Sequence, residues 1–176
     1  MSDLIRRCQG LRMLVLDVDG VLTDGRLLFD ATGQESKIFH VRDGHGIRLL
    51  QDCGVEVALI TARFSPALAH RARDLGISRV YQGSLDKVVA YTELLLATGY
   101  DDAELAYMGD DLIDLAVLRR VGLAAAPADA HPEVLTRVHW VAQNNGGMGA
   151  VRELSEFILR AQGKWDGVLA RALGTV

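Results

Sequence analysis

The chain contains an apolar run that ends abruptly in two aspartates. Residues 13–16 read Met-Leu-Val-Leu, and Asp17, Val18, Asp19 and Gly20 follow directly. An unbroken apolar run of this kind is typical of a strand that is buried on both faces of a sheet. A carboxylate buried without a cation or donors is costly, so Asp17 and Asp19 are expected where the strand emerges into a loop. Open α/β sheets bind ligands at this edge, so the pair indicates a metal site, a proton-transfer site or both.

Strand-like and helix-like segments alternate along most of the chain. The alternation predicts an α/β fold: a doubly wound, Rossmann-like, mainly parallel sheet with helices on both faces. No internal repeat or linker is visible, so residues 1–176 are predicted to form a single domain. The predicted strands are 13–16, 56–60, 79–81, 105–108, 122–125 and 138–141, and the predicted helices are 46–53, 66–75, 87–97, 112–120, 132–137 and 150–162.

One segment departs from this alternation. Residues 25–40 contain two short apolar runs around the turn sequence at 30–33, which predicts a β-hairpin inserted after the first strand. This hairpin would project over the carboxyl ends of the sheet. The intervals 17–61 and 87–110 leave no room for a separate cap domain, so none is predicted. Residues 163–176 are expected to extend the last helix or to form a loose tail.

Composition narrows the possible partners and location. The chain has 176 residues, of which 49% are hydrophobic and 24% charged, as in ordinary globular proteins. A net charge of -4 argues against broad binding of nucleic acid or of an anionic membrane. Cys8 and Cys53 lie far apart without a partner motif, which indicates buried or free thiols in a reducing compartment rather than a disulfide framework. The N-terminus has no long apolar segment, so a cytoplasmic protein without a membrane span is expected.

Polar groups follow the predicted strands at several points. In a parallel sheet the carboxyl ends of the strands meet at one edge, so these groups are expected to share one cleft. The cleft would combine several acidic side chains with a hydroxyl and an ammonium group. The residues concerned are Asp17, Asp19, Thr61, Lys87, Asp110, Asp111 and Asp114.

This set of residue types suits phosphoryl transfer. Several carboxylates favour a hard dication such as Mg²⁺, and no His/Cys cluster suits zinc. One carboxylate can attack phosphorus and form an aspartyl phosphate, while a second moves protons to the leaving oxygen and from water. Lysine, threonine and backbone donors after the glycine can hold the phosphoryl oxygens. Since clustered carboxylates repel a phosphate dianion, the metal and the lysine are required for binding.

The same residues resemble the four motifs of the haloacid dehalogenase superfamily phosphatases, in that family's order. They are Asp-Val-Asp-Gly-Val-Leu-Thr-Asp at 17–24, Thr61 at a strand end, Lys87 at a helix start, and Gly-Asp-Asp-x-x-Asp at 109–114. Longer runs resemble the 3-deoxy-D-manno-octulosonate 8-phosphate phosphatases over nearly the whole chain. Those runs are 39–47, 60–63, 81–83 and 146–153, with departures from the family pattern at Ala62, Ser84, Leu85 and Met148.

The resemblance implies specific roles. Asp17 would be the nucleophile and a Mg²⁺ ligand, and Asp110 would be a further ligand. Asp19 would be the general acid/base and would touch the metal through its backbone carbonyl. Asp111 and Asp114 would lie behind the metal-binding residues and hold them in position, and Asp114 would orient Lys87. The phosphoryl group would be bound by Gly20, Thr61 and Lys87, and the sugar acid by His40, Val41, Arg42, Asp43, Gly44, Arg48, Arg63 and Arg71.

The leading hypothesis is therefore a Mg²⁺-dependent phosphatase of 3-deoxy-D-manno-octulosonate 8-phosphate in lipopolysaccharide precursor synthesis. One alternative keeps the chemistry and changes the substrate to a nine-carbon, sialic-acid-type 9-phosphate. A non-enzyme alternative is a phospho-receiver signalling domain, but receiver domains place their acidic pair first and a lone phosphoacceptor aspartate next. The hairpin is too small to close the cleft, so hairpins of several subunits are expected to pack together. The resemblance implies a homotetramer in which a neighbour covers each site.

Overall fold

The computed structural model describes residues 3–175. Strands and helices alternate along them, apart from a helix at the start, two short strands after the first strand and two consecutive helices at the end. The strands are β1 (Met13–Leu16), β2 (Leu28–Phe29), β3 (Glu35–Ser36), β4 (Glu56–Ile60), β5 (Arg79–Tyr81), β6 (Leu105–Met108), β7 (Leu123–Ala126) and β8 (Trp140–Val141). The helices are α1 (Asp3–Gln9), α2 (Val41–Asp52), α3 (Pro66–Asp74), α4 (Lys87–Thr98), α5 (Leu115–Leu118), α6 (Pro132–Leu135), α7 (Ala150–Ala161) and α8 (Trp165–Leu173).

Six strands form one parallel sheet in the order β5-β4-β1-β6-β7-β8. In register, Leu16 at the end of β1 lies opposite Leu59 of β4 and Met108 of β6. The chain segments that leave β1, β4 and β6 therefore emerge side by side at the carboxyl edge of the sheet. This architecture confirms the predicted doubly wound, mainly parallel fold.

The strand residues pack alternately into two apolar cores, one on each face of the sheet. Leu14 and Leu16 belong to the core on one face, while Met13 and Val15 belong to the core on the other. All four side chains of β1 are fully buried. Burial on both faces explains why this strand reads as a continuous apolar run rather than an alternating one.

Several predicted boundaries were wrong. Helix α2 begins at Val41 rather than at residue 46. The segment predicted as one helix at 112–120 is a 3₁₀ turn, Leu112–Asp114, followed by the single-turn α5. The last strands are β7 and β8 rather than 122–125 and 138–141.

The two ends of the described chain were also predicted incompletely. Helix α1 was not predicted. The C-terminal segment is neither an extension of α7 nor a loose tail, because a break at Gly163, with a φ of 67°, separates α7 from α8. Trp165 and Val168 of α8 are buried against the core on one face of the sheet. Two buried apolar side chains in one turn give this helix its tertiary support.

The predicted hairpin is present between β1 and α2. Strands β2 and β3 pair antiparallel, with Leu28 opposite Ser36 and Phe29 opposite Glu35. The Asp30 carboxylate accepts hydrogen bonds from the backbone amides of Thr32 and Gln34 and so stabilises the turn. The residues that the structure describes contain no further domain between β1 and β4. Within 3–175 no helix combines the length and apolar character that a bilayer crossing requires.

Candidate active site

The structure brings the sequence-predicted polar residues together at the carboxyl edge of the sheet. Asp17 directly follows β1, Thr61 directly follows β4, and Asp110 comes two residues after β6. A small cavity of about 160 Å³ lies between these three loops. Its walls are formed by Asp17, Asp19, Thr61, Ala62, Arg63, Asp110, Asp111 and Ile113.

Three carboxylates crowd together at the base of this site; those of Asp17 and Asp114 are buried and that of Asp110 is partly buried. Asp17, Asp110 and Asp114 each contribute an oxygen atom, and these atoms lie within 4.8 Å of one another. Burial, together with the charge of Asp114, raises the pKa of Asp17 to about 6. Burial and the charges of Asp17 and Asp114 raise the pKa of Asp110 to about 8. Such crowding of like charges is costly without a cation, and raised pKa values of this kind are typical of functional sites.

Lys87, the first residue of α4, contributes a positive charge beside these carboxylates. Its side chain is almost fully buried, and the ammonium nitrogen lies 2.9 Å from Asp17 Oδ1 and 2.7 Å from Asp114 Oδ1. Burial by itself would lower the pKa of Lys87, but the charges of Asp17 and Asp114 outweigh it and raise the pKa. Asp86 caps α4 by accepting a hydrogen bond from the Val88 amide, which fixes where the helix, and hence Lys87, begins.

Asp114 is fully engaged within the protein. Its Oδ1 accepts hydrogen bonds from Lys87 Nζ at 2.7 Å and from the Tyr107 hydroxyl at 2.6 Å. Its Oδ2 accepts from the backbone amides of Asp110 and Asp111 at 3.1 and 3.2 Å. A carboxylate can accept about four hydrogen bonds, and these four contacts use all of its acceptor positions. Asp114 therefore orients Lys87 and the loop that carries Asp110, and it has no lone pair left for a metal ion.

Asp110, by contrast, has an unused oxygen. Its Oδ1 is buried and finds no hydrogen-bond partner among residues 3–175. A buried carboxylate oxygen without a donor is expensive unless a cation meets it. The neighbouring Asp17 carboxylate adds oxygen ligands of the kind that Mg²⁺ prefers. Asp17 and Asp110 thus fit a Mg²⁺ ion, whereas the backbone contact predicted for Asp19 stays a prediction.

Gly20 makes the approach of Asp110 possible. It has a φ of 89°, and a side-chain carbon at this position would lie 2.1 Å from Asp110 Oδ2. Both the backbone conformation and the space therefore require glycine. The loop that follows β1 is held in place from the other side, since the Gly147 amide donates a hydrogen bond to the Val21 carbonyl at 2.9 Å.

Thr61 is buried at the cavity wall. Its hydroxyl oxygen accepts a hydrogen bond from the Arg63 amide at 3.3 Å, while its own backbone amide donates to the Tyr81 carbonyl at 2.9 Å. The hydroxyl proton remains available to a ligand in the cavity. This position agrees with the phosphoryl-binding role predicted for Thr61, which stays a prediction.

Two charged residues of this site, Glu35 and Lys37, were missed in the sequence. The Lys37 side chain is only 3% exposed and forms ion pairs with Asp19 and Glu35. Glu35 also pairs with Arg63, whose Nε lies 3.9 Å from Asp19 Oδ2. Residues 35 and 37 are two apart in an extended segment, so their side chains lie on the same face of it. This spacing was the signal that could have identified them.

The predicted sugar-acid residues are divided between several places. Arg71 lies near the start of α2, with its guanidinium 5.8 Å from the centre of the Phe39 ring. A side-chain carbon at Gly44 would lie 2.2 Å from Arg71 Nη2, so this glycine makes room for the arginine. His40 Nδ1 lies 3.9 Å from Asp43 Oδ2. Val41 and Arg42 are exposed at the first turn of α2.

Asp43 is buried and bonds to the start of α7. Its side chain is 1% exposed, and its two oxygens accept hydrogen bonds from the backbone amides of Gly149 at 3.2 Å and Arg152 at 2.8 Å. These amides belong to the start of α7, so Asp43 is the anion that satisfies this helix N-terminus. Asp43 therefore has a role in the fold, and the substrate contact predicted for it stays a prediction.

Arg48 is not brought to the cavity within one chain. Its guanidinium donates a hydrogen bond to the Asp74 carbonyl, and it lines a separate cavity with Glu56 and Val57 at the start of β4. The start of β4 is the amino edge of the sheet, opposite to Asp17. Helix α2 runs between the two edges, and Arg48 lies in its second half. Arg48 therefore lies away from the cavity of its own chain, and the substrate contact predicted for it stays a prediction.

Comparisons with known proteins agree on one family. A family model described as haloacid dehalogenase-like hydrolase matches residues 74–154. The chain is 48% identical, over 94% of its length and 89% of the relative's, to a 3-deoxy-D-manno-octulosonate 8-phosphate phosphatase of Yersinia pestis. It is 45% identical to the enzyme of the same name from Escherichia coli, over 94% of this chain and 88% of that protein.

Solved structures give the same result. The crystal structure of the Yersinia pestis phosphatase matches with a TM-score of 0.93, covering 94% of this chain and 90% of that one. The Moraxella catarrhalis phosphatase, solved with magnesium, phosphate and the eight-carbon sugar acid KDO, is 35% identical. It matches with a TM-score of 0.95 over 97% of this chain and 98% of that one. The chain therefore belongs to the haloacid dehalogenase-like hydrolases and, within them, to the family of the 3-deoxy-D-manno-octulosonate 8-phosphate phosphatases.

Proposed function

We propose that this protein is a Mg²⁺-dependent phosphatase that hydrolyses 3-deoxy-D-manno-octulosonate 8-phosphate to the free sugar acid and phosphate. The observation that carries the proposal is the group formed by the buried Asp17 and Lys87 and the partly buried Asp110, in which Asp110 Oδ1 lacks a partner among the described residues. Relatives of that name match 94% of the chain at 45–48% identity. The nine-carbon 9-phosphate alternative shares the chemistry, but neither the relatives nor the solved structures described above carry that name.

Asp17 is the proposed nucleophile. One of its carboxylate oxygens attacks phosphorus as the bond between phosphorus and the sugar oxygen breaks, which leaves an aspartyl phosphate. Asp19 donates a proton to the departing sugar oxygen. In the second step Asp19 takes a proton from a water molecule, the water oxygen bonds to phosphorus, and phosphate leaves as the Asp17 carboxylate is restored.

The remaining residues bind and orient the phosphoryl group. Lys87 is directed at Asp17 and would balance charge on the phosphoryl oxygens, while Thr61 and the backbone near Gly20 would donate hydrogen bonds. Asp17 and Asp110 would hold a Mg²⁺ ion, whose positive charge would let a dianion approach these carboxylates. Arg63 and Arg71 carry guanidinium groups that suit the carboxylate of a sugar acid.

The substrate and the metal can be tested together. We expect the purified protein with Mg²⁺ to release phosphate from the eight-carbon sugar acid 8-phosphate with a higher kcat/KM than from a nine-carbon sugar acid 9-phosphate or from hexose phosphates. We expect excess chelator to abolish turnover and added Mg²⁺ to restore it. Phosphate release would be followed by a colorimetric assay at matched substrate concentrations.

Two outcomes of this assay would count against the proposal. A higher kcat/KM for the nine-carbon 9-phosphate would replace the proposed substrate and leave the phosphatase chemistry in place. Full turnover in excess chelator would contradict the metal requirement. The phospho-receiver alternative has no support, because the chain belongs to a hydrolase family and its motifs follow the hydrolase order.

We further propose a homotetramer in which a neighbouring subunit covers each site. The hairpin presents exposed apolar side chains at Leu28, Phe29 and Ile38, and an isolated two-stranded hairpin is only marginally stable. Packing hairpins against one another would bury these side chains. A cytoplasmic location and a role in lipopolysaccharide precursor synthesis belong to the same proposal.

Light scattering tests the assembly. We expect a mass of about four chains for the wild-type protein and a smaller species with reduced activity for Phe29→Asp, because a charge would then be buried in the interface. Leu96→Asp is the matched control, since Leu96 is 82% exposed on α4, away from the hairpin. A fully active wild-type monomer at the assay concentration would contradict the proposed assembly.

A further inference from the structure

The hairpin contributes two charged side chains to the site, and these contact two residues of the proposed catalytic and sugar-binding set. Lys37, just after β3, pairs with Asp19, and Glu35 in β3 pairs with Arg63. Lys37 and Glu35 are themselves linked, with 3.0 Å between Nζ and Oε1. The four residues form a closed ring of alternating charge, because Arg63 Nε also lies 3.9 Å from Asp19 Oδ2.

The two oxygens of Asp19 have different surroundings. Lys37 Nζ donates a hydrogen bond to Oδ1. Oδ2 is buried and has no hydrogen-bond partner within the described residues, while Asp19 as a whole lines the cavity beside Asp17. A carboxylate that exchanges protons with a substrate needs one oxygen free and the other held in a fixed direction. Asp19 has this arrangement, and Lys37 provides the holding contact.

Arg63 competes for the same carboxylate. The Arg63 guanidinium lies near Asp19 Oδ2, but it forms its closer ion pair with Glu35. Without Lys37, Arg63 would be the remaining cation of the ring that could pair with Asp19. It would then occupy Oδ2, the oxygen that must stay free, and the carboxylate would rotate toward it. A displacement of about 1 Å in a reacting group can cost on the order of 10²-fold in rate.

We propose that Lys37 is a positioning residue that holds Asp19 Oδ1 and so keeps Oδ2 free and correctly oriented for proton transfer to the leaving oxygen. The inference rests on the proton-transfer role given to Asp19 under the proposed function. It adds a residue from the hairpin to the catalytic arrangement and gives this insertion a function within its own subunit.

The experiment uses a series of substituted phenyl phosphates, whose leaving groups differ in their need for a proton. We expect Lys37→Met to lower kcat by about 10- to 100-fold for phenyl phosphate, a poor leaving group. For p-nitrophenyl phosphate, whose leaving group departs without a proton, we expect a change of less than about threefold. The dependence of rate on leaving-group pKa would therefore steepen. Lys37→Arg, which can still donate to Asp19 Oδ1, should recover part of the loss.

Lys164→Met is the matched control, because the Lys164 side chain donates a hydrogen bond to the Cys53 carbonyl just beyond the end of α2, remote from the cavity. It should leave the leaving-group dependence unchanged. Equal losses on all phenyl phosphates with Lys37→Met would overturn the proposal, since a merely structural defect has that signature. An unchanged slope with full activity would overturn it as well. Because the test does not use the sugar acid phosphate, failure of the proposed substrate would be seen separately.

Discussion

Replacing Asp17 by asparagine is expected to reduce phosphate release by at least about 10⁴-fold, as is usual when a covalent nucleophile is removed. An amide oxygen is a poor nucleophile, and the change also removes one negative ligand from the proposed Mg²⁺ site. The position itself should remain intact, because the Asp17 amide donates a hydrogen bond to the Met108 carbonyl at 3.0 Å and β1 fixes the backbone.

The control for this variant is Asp52→Asn, which makes the same change at an exposed position at the end of α2. Its activity should match the wild type. Thermal unfolding should show that Asp17→Asn is folded, because the loss of the ion pair with Lys87 is offset by less repulsion from Asp110 and Asp114. Retention of a tenth or more of wild-type kcat/KM in a folded variant would contradict the role of Asp17.

Lys87→Met is expected to have the second-largest effect, on both activity and stability. It removes the cation shared by two buried carboxylates, Asp17 and Asp114, while keeping an unbranched side chain that is one atom shorter. Breaking a buried ion pair at one partner costs about 3–5 kcal/mol in the free energy of unfolding. The loss of a donor that stabilises charge at the reacting phosphoryl group is expected to lower kcat by about 10²- to 10³-fold.

Urea unfolding with and without Mg²⁺ separates the two effects. The destabilisation by Lys87→Met should shrink when Mg²⁺ is present, since a dication near Asp17 partly replaces the missing ammonium charge. Lys164→Met again serves as the matched control and should affect neither the catalytic rate nor the response to the metal. The same destabilisation with and without the ion would show that the metal and Lys87 do not share Asp17.

The sequence predicted the central part of the fold closely, because the signals there are local. Strands β1 and β4 are continuous apolar runs bounded by polar residues, and their observed ends agree with the predicted ends. Asp17 and Thr61 sit directly after these strands. Parallel pairing in register then brings them together, so the placement of this part of the site needed little beyond strand polarity.

The contacts of the flanking segments could not be predicted in this way. Asp43 lies in a motif that reads as a substrate contact, but its partners are amides at the start of α7, more than a hundred residues away. Arg48 faces the opposite edge of the sheet because it lies in the second half of α2, whose start was predicted five residues too late. The contact between Lys37 and Asp19 depends on how the hairpin lies over Asp19, which the local sequence does not indicate.

In the proposed mechanism, the Asp17 carboxylate bonds to phosphorus during turnover. The most direct measurement is mass spectrometry of the protein after rapid acid quench of a reaction with Mg²⁺ and excess substrate, followed by proteolysis. The peptide that contains Asp17 should carry a phosphoryl group that is absent without substrate and absent from Asp17→Asn. Steady release of phosphate by a protein that carries no phosphoryl group on Asp17 at any quench time, or carries it on another residue, would rule out this mechanism.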